Sequence, residues 1–264
     1  MNSLNIALVV EYDGSNYYGF QKQLNFVTIQ NVLESVITKV ANHDIVTVGS
    51  GRTDTGVHAL FQIVNFTSYA NRSLDNWLNG INSLLPKDIV VKEVKYVSDS
   101  FNARFSAFKR TYHYYLYVSK VRPSILNRKV GYYNGELNLE LISEALDVIK
   151  GENDFACFKA ENCQSKSSIR HMYEAGLSIK EFHSHKLLRF EFTANSFLYH
   201  MIRNIVSTLI YLGSNKMNLT EFKKLILSRN RKLTPFTFMP DGLYLVNVVY
   251  KNINFTSLNL DWIY

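Results

Sequence analysis

The apolar residues of this chain switch repeatedly between strand spacing and helix spacing, and the order of the switches restricts the folds open to it. Leu4 to Tyr12 is a short continuous apolar run that reads as a buried strand; Ile29, Val32, Leu33, Val36, Ile37 and Val40 then recur at helical spacing behind Thr28, a predicted N-cap. A strand from Ile45 to Val48 enters a glycine-framed loop, an alternating strand from Phe61 to Phe66 leaves it, a helix follows near Ser73 to Leu85, and a strand from Ile89 to Tyr96 completes an α+β half. The same grammar returns further on. A Tyr-rich strand spans Thr111 to Val118; Leu141, Ile142, Ala145, Leu146 and Ile149 line a helix with Gly151 as its C-cap; and a hairpin lies between Tyr173 and Ala194. Leu198, Met201, Ile202, Ile205, Val206, Leu209 and Leu212 trace an amphipathic helix stopped by Gly213, and Leu243 to Tyr250 forms a last strand. The pattern predicts an α+β fold of two related halves, 1–107 and 108–264, sharing a sheet with a cleft between them.

A chain of 264 residues, 47% hydrophobic, can bury one large core or two modest ones. Its formal net charge of +7 favours an anionic partner, and its 17 Tyr and 17 Phe offer stacking surfaces beyond those a core absorbs. The segment Met1 to Glu11 lacks the basic flank and long apolar stretch of a signal peptide, and no apolar run is long enough to cross a bilayer, so the expected location is cytoplasmic. Only Cys157 and Cys163 are present, which supports neither a zinc site nor a disulfide framework; His183 and His185 bracket Ser184 in a polar turn.

The candidate site is the run Gly49-Ser50-Gly51-Arg52-Thr53-Asp54-Thr55-Gly56-Val57-His58-Ala59-Leu60. Its three glycines permit positive φ or close backbone approach, Arg52 offers a planar cation for phosphate or for stacking on a base, and strands at both ends would hold Asp54 in place. A surface turn with a neutralised Asp is the alternative. A nucleotide-binding loop is excluded, because Val57 and His58 stand where Lys and Ser or Thr are required after the G-x-x-x-x-G spacing of Gly51 and Gly56.

Gly-Arg-Thr-Asp-x-Gly-Val-His-Ala resembles the signature of the tRNA pseudouridine synthase A (TruA) family. Tyr12-Asp13-Gly14-Ser15, Leu84-Leu85-Pro86-x-Asp88-Ile89, Phe101-x-Ala103-Arg104-Phe105-Ser106-Ala107, Arg110-x-Tyr112-x-Tyr114, Gly151-x-x-Asp154-Phe155, Asn195-x-Phe197 through Asn204, and Gly242-Leu243-Tyr244-Leu245 follow in that family's order, over nearly the whole chain. The resemblance implies a pseudouridine synthase fold: two related α+β halves forming a continuous, mostly antiparallel sheet, helices on one side and a central RNA-binding cleft. It further implies a homodimer that isomerises uridine in the tRNA anticodon stem-loop, at positions 38, 39 and 40, with no cofactor and no metal.

By the same resemblance Asp54 is the catalytic nucleophile or base, either attacking ribose C1′ or removing the C2′ proton. Arg203 is its ion-pair partner, since a carboxylate in a dry cleft needs a cation to stay charged. Tyr112 stacks on the target uracil and acts near C5, and Arg52 fills the space left when the base flips out. Arg104, Lys109 and Arg110, and less directly Lys22, are the expected phosphate contacts. Two other readings stand beside this one: a catalytically silent RNA-binding module, and a synthase acting at other tRNA positions. The chain departs from the family pattern at Phe20, where Trp is usual, at Ser207, where Gly is common, and at Thr237-Phe238-Met239-Pro240, which replaces a small Ala-containing stretch.

Overall fold

The computed structural model describes residues 3–256. In chain order the elements are β1 (Leu4–Tyr12), α1 (Ile29–Ala41), β2 (Val48–Gly49), β3 (His58–Ser68), α2 (Leu74–Leu84) and β4 (Ile89–Val97). They continue with β5 (Ala107–Val118), β6 (Gly131–Tyr133), α3 (Leu139–Val148), β7 (Gly151–Asp154), β8 (Ile169–Phe182) and β9 (His185–Ala194), then α4 (Met201–Gly213), α5 (Leu219–Ser228) and β10 (Leu243–Tyr250). The chain divides into two compact units: the described residues up to Phe108 together with those from Tyr244 on, and Lys109–Leu243. The expected second half ran to the end of the chain, but the last strand groups with the first unit. Strand pairing is long-range, and nothing in the local spacing of Leu243 to Tyr250 specifies its neighbour.

In the first unit the strands run in the order β4-β1-β3-β10, with β2 also on β3. β1 is antiparallel to both β3 and β4, whereas β10 meets β3 in parallel, Tyr244 opposite His58 and Leu245 opposite Ala59. Ile6 to Val10 are buried on both faces of β1, which explains why that strand reads as a continuous apolar run rather than an alternating one. Helix α1 starts where predicted, with the Thr28 side chain accepting the Asn31 amide, and ends at Asn42 in the left-handed conformation with φ 59°.

A buried amide pair ties the end of β4 to the centre of this sheet. Asn5 Nδ2 donates to the carbonyls of Ser98 (2.9 Å) and Phe101 (3.0 Å). Asn65 Nδ2 donates to Asn5 Oδ1 (3.0 Å), and Asn65 Oδ1 accepts the Ala103 amide (2.8 Å). The Tyr250 hydroxyl adds a bond to the Ala103 carbonyl at 2.7 Å, so the turn that leads into Arg104 and Phe105 is held from β1, β3 and β10 together.

The second unit has the strand order β5-β9-β8-β7, antiparallel throughout, with the short β6 parallel to β5. Helix α3 packs on β8, and α4 and α5 pack on α3. Phe155, Phe158, Phe190, Phe192 and Phe222 are fully buried among them. Both units are therefore α+β with mostly antiparallel sheets. Several local expectations need correction. Residues 45–47 are not strand; pairing begins at Val48 because only Val48 and Gly49 lie opposite β3. Gly151 does not cap α3, which ends through Ile149; it opens β7 at φ 82°. Leu198 precedes α4 rather than joining it, since His200 at φ 62° sets the helix start. Helix α5 was not anticipated, although its capping box, Asn218 with Glu221, is written in the sequence. Among the described residues no helix is long and apolar enough to cross a membrane.

Because Asn65→Ala would leave the buried Ala103 amide without its acceptor, it should destabilise the protein by about 1 to 3 kcal/mol, measured by denaturant unfolding.

Candidate active site

Asp54 sits at the start of a tight turn in which the Val57 amide donates to the Asp54 carbonyl (3.1 Å) and Gly56 takes φ 79°. The turn is pressed onto the segment that follows β1. The Phe20 amide donates to the Thr53 carbonyl (3.0 Å), the Gly56 amide to the Tyr17 carbonyl (3.4 Å), and the Gly14 amide to His58 Nδ1 (3.1 Å). The Tyr12 hydroxyl and Thr53 Oγ1 are 2.7 Å apart. At Gly14 a Cβ would collide with the Val57 carbonyl, and at Gly19, itself at φ 82°, it would lie 2.6 Å from the Thr53 oxygen. Glycine at these positions is what allows two backbones to touch.

On the other flank Gln62 clamps the loop: its amide nitrogen donates to the Gly51 carbonyl (2.8 Å) while its oxygen accepts from Ser50 Oγ (2.5 Å). His58 is buried and stacks on Tyr244 with ring centres 4.5 Å apart. Phe20, one of the departures from the family pattern, is buried with its ring against Gly49 and near Tyr12. The result is a partly exposed carboxylate on a loop whose neighbours Thr53, Gly56, Val57 and His58 are all buried. Such a loop presents Asp54 with little freedom to move.

Arg52 is exposed beside it. Burial first, and then the charge of Arg104, pull the Arg52 pKa down, so the two guanidinium groups share one electrostatic neighbourhood. Lys22, in contrast, pairs with the buried Glu34 at 3.1 Å, an engagement that sequence alone did not show.

In the second unit Tyr112 is buried on β5, opposite Phe192 in the ladder, with the edge of its ring against Phe197 at 5.0 Å. Half-buried Arg203, on the first turn of α4, donates from Nε to the Phe238 carbonyl at 2.8 Å. The same irregular stretch engages Tyr114, whose hydroxyl donates to the Met239 carbonyl at 2.9 Å. Burial, with Asp241 adding to it, pushes the Tyr114 pKa well up while Arg203 pulls it down, so Tyr114 stays a neutral donor near both charges.

Arg231 fastens this stretch from behind, donating to the carbonyls of Thr234 and Pro235, to Asn204 Oδ1 and to Thr237 Oγ1. Tyr114, Asn204 and Arg231 were missed as supports of Arg203. Asn204 and Tyr114 lie in the segments Asn195 through Asn204 and Arg110-x-Tyr112-x-Tyr114, which mark them, whereas nothing local marks Arg231. Ser207 is buried within α4.

The remaining basic residues differ in engagement. Lys109 Nζ lies 4.1 Å from the centre of the Tyr173 ring, whereas Arg110 is buried and donates to the Asn195 carbonyl at 3.0 Å. Arg170 is buried and donates to the Ser167 and Ile169 carbonyls. Burial pushes the Cys157 thiol up to about 12, which rules it out as a nucleophile. His185 packs between Tyr117 and Phe182, and among the described residues no three His, Cys, Asp or Glu side chains gather to hold a metal.

Comparison with known proteins matches residues 8–106 and 145–251 to a family described as tRNA pseudouridine synthase. The chain is 43% identical over 247 residues to the tRNA pseudouridine synthase A of Nitrosomonas eutropha, covering 94% of this chain and 88% of that one. It is 42% identical over 250 residues to that of Chromobacterium violaceum, covering 94% of each, and 40% identical over 247 residues to that of Methylobacillus flagellatus, covering 94% and 93%. Arg52, Asp54, Arg104 and Arg203 lie inside the family match, while Lys109, Arg110 and Tyr112 lie between its two segments.

The glycine contacts around Asp54 give a paired test. Gly19→Ala, at positive φ and against the Thr53 backbone, should cost about 1 to 2 kcal/mol or more. Gly176→Ala, where a Cβ meets nothing within 4 Å, should be neutral or slightly stabilising. Denaturant unfolding of both variants distinguishes them.

Proposed function

We propose that this chain, which belongs to the tRNA pseudouridine synthase family and is an isomerase converting uridine to pseudouridine in tRNA, has its target uridines in the anticodon stem-loop, at positions 38, 39 and 40. The observation that carries this reading is the Asp54 loop: the family signature lies inside the matched residues, and the fold pins it at both flanks with one carboxylate partly exposed and one guanidinium exposed.

The reaction breaks the bond from ribose C1′ to uracil N1, turns the base and joins C1′ to C5; the C5 proton leaves and N1 takes one up. No atoms are gained or lost. Asp54 serves as nucleophile at C1′ or as base toward the C2′ proton, and Arg203 is assigned as its counter-ion. Arg203 is suited to that work because its Nε donates to the Phe238 carbonyl at 2.8 Å, which fixes the plane of the guanidinium. Tyr112 is assigned to stack on the uracil, and Arg52 to take the place of the flipped base, with Arg104, Lys109, Arg110 and Lys22 along the phosphates. The buried Arg110 and the Glu34-paired Lys22 would contribute mainly by holding backbone and helix in place. A homodimer is part of this reading, and light scattering of the RNA-free protein should give twice the chain mass.

Tritium should be released from tRNA labelled at uracil C5, because only rejoining at C5 expels that atom. Asp54→Asn should lower the release at least about 100-fold while tRNA affinity stays near that of the parent protein, since the phosphate contacts lie elsewhere. Retained turnover in that variant would remove Asp54 from its role. Labelled uridine restricted to positions 38, 39 and 40, compared with label elsewhere, tests the target assignment.

A further inference from the structure

Beside the Asp54 loop, the first unit carries a groove that shares only Arg104 with the roles assigned so far. Its volume is about 760 Å³, and its walls are the end of β4, residues 105–108 and residues 250–253. Two aromatic rings line it while open to solvent, Phe105 at 79% exposure and Phe108 at 39%. Each carries a cation at its face or rim: the Arg104 guanidinium is 5.4 Å from the Phe105 ring centre, and Lys251 Nζ is 5.2 Å from that of Phe108. Hydroxyls of Ser98, Ser100 and Ser106 complete the lining.

The frame behind these groups is firm, since the Asn5 and Asn65 amides and the Tyr250 hydroxyl hold the backbone from Ser98 to Ala103. Arg104 also acts electrostatically on Arg52, two residues from Asp54. An apolar segment of a protein would bury the Lys251 charge beside Phe108 with nothing to neutralise it. An unpaired nucleotide satisfies all three features at once, with a π-face for the Phe rings, hydrogen-bonding edges for the hydroxyls and an anionic phosphate for the cations.

We infer that this groove binds an unpaired nucleotide of the substrate tRNA, its base stacked on Phe105 or Phe108 and its adjoining phosphates on Arg104 and Lys251. The inference rests on the proposed tRNA substrate. Occupancy of the groove would anchor the strand on the Arg104 side of the target uridine, so its contribution falls on binding and not on the bond-making steps.

Equilibrium binding of a tRNA transcript and the kinetics of tritium release test it together. Phe105→Ala and Phe108→Ala should each weaken tRNA affinity about tenfold, as loss of one stacked base does, raising KM with kcat at saturation within about twofold. Phe105→Tyr and Phe108→Tyr should restore affinity, and Lys251→Ala should flatten the log–log salt dependence by roughly 0.7 to 0.9. Ultraviolet crosslinking should place RNA on the peptide that contains Phe105 and Phe108. Phe105 is exposed enough that its alanine variant folds, so that variant carries the test even if Phe108→Ala does not fold. Parent-like affinity and salt slope in Phe105→Ala and Lys251→Ala would overturn the inference. So would a change in light-scattering mass with RNA binding intact, which would mark the groove as a contact between copies. If the parent protein binds tRNA through this groove but releases no tritium, the proposed reaction fails and the groove assignment survives.

Discussion

The contact between two backbones, the segment after β1 and the Asp54 loop, is the constraint on which the site depends. Thr53 offers its carbonyl to the Phe20 amide with Gly19 pressed against it, and Val57 offers its own against Gly14. Neither contact tolerates a side chain at the glycine. The loop therefore has one position relative to the sheet, set by main-chain atoms rather than by adaptable side chains, and the carboxylate inherits that position. β3 and its Gln62 then fix the other flank through the Ser50 hydroxyl and the Gly51 carbonyl. A carboxylate held this way is ordered once, at folding, and not each time a ligand meets it.

In the second unit the equivalent task falls to an irregular stretch, 237–241, that has no secondary structure of its own. Its carbonyls serve Arg203 and Tyr114, and its shape is kept by the four acceptors that Arg231 satisfies. The departure Thr237-Phe238-Met239-Pro240 falls on this support. Phe238 is buried beside Tyr114 and gives its backbone oxygen to Arg203, while Met239 takes the Tyr132 amide on sulfur at 3.3 Å. The main-chain contacts do not depend on which side chains stand there, which explains how a stretch so different from the family pattern can still position the arginine.

The abundant aromatics divide by environment. Many, such as Phe61, Phe66, Tyr114, Tyr115, Phe190 and Phe192, are fully buried and build the cores. A minority stays open to solvent next to a cation, among them Phe105 and Phe108. Composition alone could count the rings but not sort them, because burial is decided by the strand face on which each lands.

The sequence by itself determined the elements whose signals are local. β1, with its continuous apolar run, α1, with Thr28 ahead of a helical period, and β10 fall where the spacing puts them. The signature around Asp54 was legible because its glycines are required by backbone geometry. What only the tertiary structure decided is long-range. The last strand from Tyr244 on groups with the first unit through pairing with β3; Val48 and Gly49 are the residues of their segment that reach a partner; Lys22 is engaged with Glu34 from α1; and Arg231 reaches Asn204, 27 residues earlier in the chain. Hydrophobic period and capping are properties of a few neighbouring residues. Strand partners, buried hydrogen-bond networks and the faces that remain open to solvent exist only once distant segments have packed, and no local pattern encodes them.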